Sequence, residues 1–305
     1  MRRTMLRRFG LLAALAMARP GLAAGLMERM QGRGSPDDGS NGVAGPVVLP
    51  AGATVERDLA FGADPAQRLD VYRPAHASGA PVILYVHGGG WRRGDKAMPQ
   101  MVKNKAPHWV GKGCVFVSTN YRMLPDANVV EQADDVARAL AFVQSRAASW
   151  GGDPARVIVV GHSAGAHLVA LMTADGTIAS RQGAQPWLAT VALDSAALDM
   201  VAIMNRRHYR FYDPVFGTDA NFWRDASPTH RLKTKPAAPM LMVCSSRRED
   251  SCPPAREFAA KASGLGGRVS VLPIALSHAE INDQLGLRGE YTDAVDEFLR
   301  TVGVD

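Results

Sequence analysis

Residues 157–170 read VIVVGHSAGAHLVA, and this stretch determines how the rest of the chain is interpreted. Four β-branched residues lead into the pentapeptide GHSAG of residues 161–165, and small and apolar residues follow it. The pattern predicts a strand, a sharp turn and a helix, with Ser163 at the apex of the turn. The two glycines leave space for a strained serine backbone, and the helix would direct the Ala164 N–H at an oxyanion formed beside the serine.

A second strand-to-loop pattern lies upstream in residues 81–91, which read PVILYVHGGGW. The apolar residues 81–86 predict a buried strand, and three consecutive glycines follow it. Inside a helix or strand each glycine would cost roughly 0.5–1 kcal/mol, so the run is typical of a loop instead. We expect the N–H groups of Gly89 and Gly90 to face a ligand there, and Trp91 to form a wall of its pocket.

Together, HGGGW and GHSAG resemble the motifs of the α/β-hydrolase fold, and within it the esterase branch. That branch includes hormone-sensitive-lipase-like carboxylesterases, feruloyl-esterase-like enzymes and arylformamidases. Similar order and spacing extend from about Val55 to the C-terminus and include LDVYRP, the NYR of residues 120–122, the GGDP of residues 151–154 and the ASPTH of residues 226–230. The resemblance implies a mostly parallel central sheet flanked by helices, and a serine esterase activity.

The hydrophobic periodicity independently predicts an α/β chain. Predicted strands alternate with amphipathic helices, which is typical of βαβ units and places function at the carboxyl ends of the strands. The strands are residues 54–61 and 68–72, as a hairpin, then 81–86, 114–119, 157–160, 189–193, 240–244 and 269–272; the clearest helices are 129–150, 254–263 and 291–302. Residues 200–232 break the alternation, and we interpret them as a small cap over the site.

The N-terminal residues are interpreted as a targeting segment. Residues 1–24 carry clustered arginines ahead of an apolar run that ends in small residues, the pattern of a secretory signal peptide. We therefore expect a periplasmic or secreted protein. Residues 25–53 are rich in Gly, Pro, Ser and Asp and predict a flexible linker, so that residues 54–305 form the α/β-hydrolase domain.

Composition limits the classes of partner. The formal net charge of +6 falls to +1 once the five arginines of residues 1–24 are removed, which gives no electrostatic reason to expect nucleic acid. After the leader no apolar stretch is long enough to span a bilayer, so no stable membrane anchor is expected. Clusters of His, Cys and acidic residues with metal-ligand spacing are not visible, and we expect neither a metal nor another cofactor. The expected partner is a small-molecule ester.

The base that a serine nucleophile needs is predicted from chain order. In the α/β-hydrolase fold the order is serine, then acid, then histidine. Of the eight histidines, His278 is the one beyond the penultimate predicted strand, in a loop directly after the last strand. His162 lies inside the serine turn, and we expect it to line the substrate pocket.

Several acids are candidates for the third member of the triad. Asp194, Asp199, Glu249 and Asp250 all follow predicted strands. We favour Asp250, which follows the predicted strand 240–244 by a few residues and precedes Pro254, a residue suited to open a helix. The resemblance also implies the acid at this place, before a valine–proline pair. Asp194, which ends the preceding strand, is the alternative, at a position that some lipases with this fold use. Cys252-Pro253 stands where the family usually has an aliphatic residue before proline.

Cysteine usage suggests one disulfide. Cys244 ends a strand, Cys252 lies eight residues later in the loop that bears Asp250, and Cys114 falls in a buried strand. In an exported chain we therefore predict a Cys244–Cys252 bridge.

These observations predict a serine carboxylic ester hydrolase that acts through an acyl-enzyme on small soluble esters. The expected acyl group is short or aromatic, because residues 200–232 combine aromatic side chains with many charges. An arylformamidase or amidase of the same fold is one alternative. A non-catalytic binding protein on a hydrolase scaffold is the other.

Overall fold

The computed structural model describes residues 47–304. The signal peptide predicted for residues 1–24 and most of the linker predicted for residues 25–53 lie outside these described residues and stay predictions. In the described part, the first regular element begins at Thr54, where the hydrolase domain was predicted to start.

One sheet of eight strands organises the described residues. The strands are β1 (Thr54–Ala60), β2 (Arg68–Arg73), β3 (Ala80–Val86), β4 (Val115–Thr119), β5 (Gly152–His162), β6 (Ala189–Leu193), β7 (Met240–Ser245) and β8 (Val269–Ile274). They follow the order β1-β2-β4-β3-β5-β6-β7-β8 across the sheet. β1 pairs antiparallel with β2, and β2 with β4, whereas all other neighbours are parallel. The predicted hairpin and the mostly parallel sheet are confirmed.

Helices connect the parallel strands. They are α1 (Pro99–Val102), α2 (Lys105–Gly111), α3 (Val129–Arg146), α4 (Ala164–Ala174), α5 (Thr177–Arg181), α6 (Met200–Met204), α7 (Asp213–Phe216), α8 (Ala220–Asp225), α9 (Pro228–Arg231), α10 (Cys252–Gly264), α11 (His278–Asp283) and α12 (Glu290–Thr301). Short 3₁₀ turns add Ala147–Trp150 and Arg210–Tyr212. None of the helices within residues 47–304 has the length and hydrophobicity needed to cross a membrane.

The alternation of side chains along the strands builds a core on each face of the sheet. On β3, Val82 and Leu84 belong to the same hydrophobic cluster as Leu140 of α3. Their neighbours Ile83 and Tyr85 belong to the cluster on the other face. Burial on both faces explains why these strands read as continuous apolar runs.

Two elements differ from the sequence prediction, and the second of them carries a residue of the site. The helix predicted for residues 129–150 ends at Arg146 and continues as a 3₁₀ turn, which Gly151 closes in a left-handed conformation (φ 79°). His278, predicted in a loop, is the first residue of α11. The sequence carried a signal for that helix, since Ser277 and Glu280 form a capping box.

Helix α3 gives a test of local stability. The Asn128 side chain accepts hydrogen bonds from the Val130 and Glu131 N–H groups, and the Asn128 N–H donates to Glu131 Oε2. We expect Asn128→Ala to lower the free energy of unfolding by about 1 kcal/mol, because those N–H groups lose their acceptor. Urea denaturation measures this; the exposed Ser145→Ala in the same helix is the control, with a change within about 0.5 kcal/mol. Equal effects of the two substitutions would contradict the capping role.

Candidate active site

The serine lies at a strained turn between β5 and α4. Ser163 has φ 55° and ψ −117°, a backbone conformation that side-chain-bearing residues rarely adopt. The turn is tight because its glycines touch backbone: a Cβ on Gly165 would lie 2.3 Å from the Val86 oxygen and 2.5 Å from the His87 oxygen. The Ser163 N–H donates to the Leu193 oxygen at 2.9 Å, which anchors the turn to β6. The predicted strand, turn and helix therefore present the hydroxyl at the carboxyl edge of the sheet.

His278 lies within hydrogen-bond distance of this hydroxyl. Its Nε2 is 2.9 Å from Ser163 Oγ. A capping box fixes the backbone that carries this ring: the Ser277 N–H donates to Glu280 Oε2 at 2.7 Å, and the Glu280 N–H donates to Ser277 Oγ at 3.3 Å. The structure thus brings together the serine and the histidine that the sequence selected.

The acid beside His278 is Asp194, and the prediction of Asp250 is wrong on this point. His278 Nδ1 lies 2.6 Å from Asp194 Oδ2. Among the described residues, Asp250 has no hydrogen bond to His278; its Oδ1 instead accepts from Arg248, at 3.2 Å from Nε and 3.1 Å from the second terminal nitrogen. His278 Nε2 faces the serine, so Nδ1 is the nitrogen that an acid can orient, and Asp194 contacts it. Asp194, the alternative in the sequence analysis, is therefore the acid of the site.

The surroundings of Asp194 are those of an ionised carboxylate. The residue is 1% exposed and has φ 54°, a second strained backbone at this edge of the sheet. Oδ1 accepts from the Ser245 N–H at 2.8 Å and from the Ser251 hydroxyl. Although burial acts to raise the pKa of Asp194, the hydrogen bonds and charges of His278 and Arg248, with the Ser251 hydroxyl, hold that pKa well below its ordinary value.

The predicted oxyanion donors lie beside the serine. Gly89, Gly90 and Ala164 line the same cavity as Ser163. Gly89 has φ 122° and Gly90 φ 62°, conformations that favour glycine. Within residues 47–304, the N–H groups of these three residues donate no hydrogen bond to another part of the protein. They are therefore available to an oxyanion.

The cavity over the serine encloses about 180 Å³. Trp91 and His162, the two predicted pocket residues, both line it, and residues 200–232 contribute Phe211 and Tyr212. Trp91 stacks on Phe211 with ring centroids 6.4 Å apart, and its Nε1–H donates to His167 Nδ1 at 3.2 Å. Trp91 and Phe211 therefore form an aromatic wall of the cavity, and the hydrogen bond to His167 fixes the Trp91 ring.

His162 supports the base from a neutral state. Its Nε2 lies 3.0 Å from the His278 carbonyl oxygen, and the two rings are 4.6 Å apart. Burial first, and the neighbouring His278 second, lower the pKa of His162 well below its ordinary value. A neutral Nε2–H donor to that carbonyl fits these contacts, with the hydrogen position inferred from the partners.

The predicted disulfide is confirmed. Cys244 and Cys252 are bonded across eight residues of sequence, and Cys114 is a buried free thiol. Burial raises the pKa of the Cys114 thiol to about 11. The bridge closes the loop that leads from β7 to α10.

Sequence reasoning missed three residues around the acid. Arg248, Ser245 and Ser251 all contact Asp194. A serine or arginine in a loop carries no recognisable motif, so these contacts needed the fold. The signal that was available is the position of Asp194 directly after a parallel strand.

Comparison with known proteins fits this geometry. The family BD-FAE matches residues 69–201. Isoprenylcysteine alpha-carbonyl methylesterase ICME of Arabidopsis thaliana is 32% identical over 117 residues, which cover 38% of this chain and 27% of that protein. Esterase LipC of Mycobacterium tuberculosis is 30% identical over 210 residues, 63% of this chain and 50% of LipC.

A solved structure extends the likeness to most of the described chain. Esterase B from Lactobacillus rhamnosis, in a structure with a tributyrin phosphonate, superposes with a TM-score of 0.67 at 19% identity, over 84% of this chain and 86% of that one. This protein has the α/β-hydrolase fold. The matched stretch spans only 24% to 31% of the length of five plant methylesterases, so the activity of this protein is a proposal.

The turn around Ser163 gives a test of the geometry. We expect Gly165→Ala to lower the free energy of unfolding by about 3 kcal/mol, because the added methyl group would overlap the carbonyl oxygens at the end of β3. Gly264→Ala is the matched control, since a Cβ at this last residue of α10 meets nothing within 4 Å. Thermal unfolding of both variants measures the difference. A Gly165→Ala protein as stable as the control would show that α4 is not packed this closely on β3.

Proposed function

We propose that this α/β hydrolase is a serine carboxylic ester hydrolase that works through an acyl-enzyme. The observation that supports this most directly is the line of contacts from Ser163 Oγ through the His278 ring to Asp194 Oδ2, at 2.9 Å and 2.6 Å. A serine hydroxyl is a weak nucleophile, and a base that is itself oriented by an acid makes it reactive.

The first half-reaction follows from these contacts. With its Nδ1–H donating to Asp194, His278 presents an unprotonated Nε2 to the Ser163 hydroxyl. Nε2 takes the serine proton while Oγ forms a bond to the ester carbonyl carbon. The tetrahedral intermediate places its oxygen at the N–H groups of Gly89, Gly90 and Ala164. The carbon–oxygen bond to the alcohol then breaks, and the alcohol leaves with the proton from Nε2.

The second half-reaction uses the same groups with water. His278 removes a proton from water, the resulting oxygen attacks the acyl-enzyme carbonyl, and Ser163 leaves with the proton returned by Nε2. Asp194 stays ionised throughout, since its oxygens are held by donors and its pKa lies below the ordinary range. It orients the imidazole and stabilises the imidazolium.

The size and lining of the cavity favour small soluble esters. A cavity volume of about 180 Å³ favours a short acyl group over an extended chain, and Trp91, Phe211 and Tyr212 offer flat apolar surfaces to a short or aromatic acyl group. The large hydrophobic residues that are exposed within residues 47–304 are Val48, Leu265 and Leu287, which come from separate parts of the sequence.

We further propose that residues 200–232 act as a cap and that the protein is exported. Phe211 and Tyr212 lie on the cavity wall, which is the observation behind the cap. Export rests on the sequence of residues 1–24 and is tested by N-terminal sequencing of the periplasmic and secreted fractions.

Substitution of the two candidate acids tests the triad. We expect Ser163→Ala to abolish turnover and Asp194→Asn to lower kcat about 10⁴-fold, because the imidazole loses its tautomer and its counter-charge. Asp250→Asn is the matched control and should keep kcat within about tenfold. Hydrolysis of p-nitrophenyl acetate measures all three. The assignment would be reversed if Asp250→Asn lost activity and Asp194→Asn kept it.

Acyl chain length tests the substrate class. We expect kcat/KM on p-nitrophenyl esters to peak at acetate or butyrate and to fall by at least about tenfold at decanoate, because the cavity is short. The rate should not rise when the substrate forms micelles. Increasing rates toward palmitate would contradict the proposal, and faster turnover of an aryl formamide than of any ester would favour the amidase alternative.

A further inference from the structure

Arg248 is a charged residue inside the candidate active site that the mechanism above does not use. It lies in the loop between β7 and α10, lines the cavity and has a side chain only 17% exposed. One terminal nitrogen is 2.7 Å from Asp194 Oδ2, and the other edge of the guanidinium contacts Asp250. Burial acts to lower the pKa of Arg248, but the charges of Asp194 and Asp250 raise it above the ordinary value, so the guanidinium stays protonated.

The same terminal nitrogen also lies 3.0 Å from His278 Nδ1. Because Nδ1 carries the hydrogen that it donates to Asp194, the two nitrogens are both donors and do not bond to each other. Both nitrogens donate to the same oxygen, Asp194 Oδ2. Arg248 therefore helps to hold Oδ2 in position beside the imidazole, while the Ser245 N–H and the Ser251 hydroxyl hold Oδ1.

The charge of Arg248 has a consequence for the base. A buried carboxylate beside an imidazole favours the protonated imidazolium, which cannot accept the serine proton. A guanidinium at nearly the same distance opposes that effect, since like charges in a site with little water repel strongly. The His278 ring also contacts His162, which is neutral, and the Ser163 hydroxyl. Asp283 lines the same cavity, and the buried Lys105, whose pKa burial lowers to about 7, acts on the adjoining His162. These groups are unchanged in an Arg248 variant, so a difference between variant and wild type reports the charge of Arg248.

We propose that Arg248 is a positioning residue for the Asp194–His278 pair, and that its charge keeps the imidazole free to accept the Ser163 proton at lower pH than Asp194 alone would allow. Asp250 is the counter-ion that holds Arg248 in place. The loop between β7 and α10, where the resemblance implied the acid, thus carries Arg248, which orients Asp194 at the end of β6. This inference rests on the proposed function of the same site.

The pH dependence of kcat/KM in Arg248→Gln tests the proposal. We expect the pH of half-maximal kcat/KM on the acidic side to rise by about one pH unit, because the imidazolium loses a repelling charge. Asp250→Asn removes a negative charge but leaves Arg248 paired with Asp194, so the same midpoint should not rise. Arg248→Lys keeps the charge and should restore the midpoint even where kcat stays low.

Arg247→Gln is the matched control. This neighbouring arginine is half exposed and pairs with Glu280 at the surface, so removal of its charge should shift the midpoint by less than about 0.2 pH units. Circular dichroism and thermal unfolding establish that each variant is folded. A midpoint that does not move in folded Arg248→Gln, with activity still lost in Ser163→Ala, would overturn the role of Arg248 and leave the proposed function intact.

A readout without turnover separates the two proposals. The His278 ring is titrated by NMR in the wild-type protein and in Arg248→Gln, with its signal assigned by its loss in His278→Gln. A higher midpoint in Arg248→Gln supports the proposal even if no tested ester is hydrolysed. Equal midpoints in the two proteins overturn it.

Discussion

The close approach of helix α4 to the end of strand β3 is the constraint on which the site depends. A side chain at Gly165 would overlap two carbonyl oxygens, so the helix can start at this point only with glycine there. That contact holds the start of α4 against the sheet, and Ser163, just before the helix, has a positive φ. The hydroxyl is lifted toward His278, and the Ala164 N–H is directed to the same cavity. The position of the Ser163 hydroxyl, the strain in its backbone and the direction of the Ala164 N–H thus all belong to this one tight junction.

The parallel strands explain why residues far apart in sequence meet. Strands β3, β5, β6, β7 and β8 run in one direction, so the segments that follow them come together at one edge of the sheet. Each of these segments supplies one part of the site: the glycine loop, Ser163, Asp194, Arg248 and His278. A histidine more than a hundred residues from the serine reaches it because both follow strands of one sheet.

How much the sequence could predict depended on the kind of signal each residue carried. Ser163 and the glycine loop belong to motifs in which local sterics require particular residues, and Asp194 and Asp250 do not. Both acids follow parallel strands, and periodicity cannot say which carboxylate turns toward the imidazole. The answer depends on φ 54° at Asp194 and on an arginine two residues before Asp250 that binds its carboxylate. These are tertiary properties, and a pattern of residue types does not encode them.

The Cys244–Cys252 disulfide closes the loop whose residues bind Asp194. If Asp250 contacted His278, the loop between β7 and α10 would carry a triad member. With Asp194 in that place, three donors reach a carboxylate that directly follows the neighbouring strand: the N–H of Ser245 at the end of β7, and from the loop the Arg248 guanidinium and the Ser251 hydroxyl. Donors serve a buried carboxylate only if their directions are held, and residues 246–251 have no regular secondary structure to hold them. The Cys244–Cys252 bridge joins the end of β7 to the first residue of α10 and restricts the segment between them. Strand β6 holds Asp194 in place, and the disulfide restrains the loop that carries its donors Arg248 and Ser251.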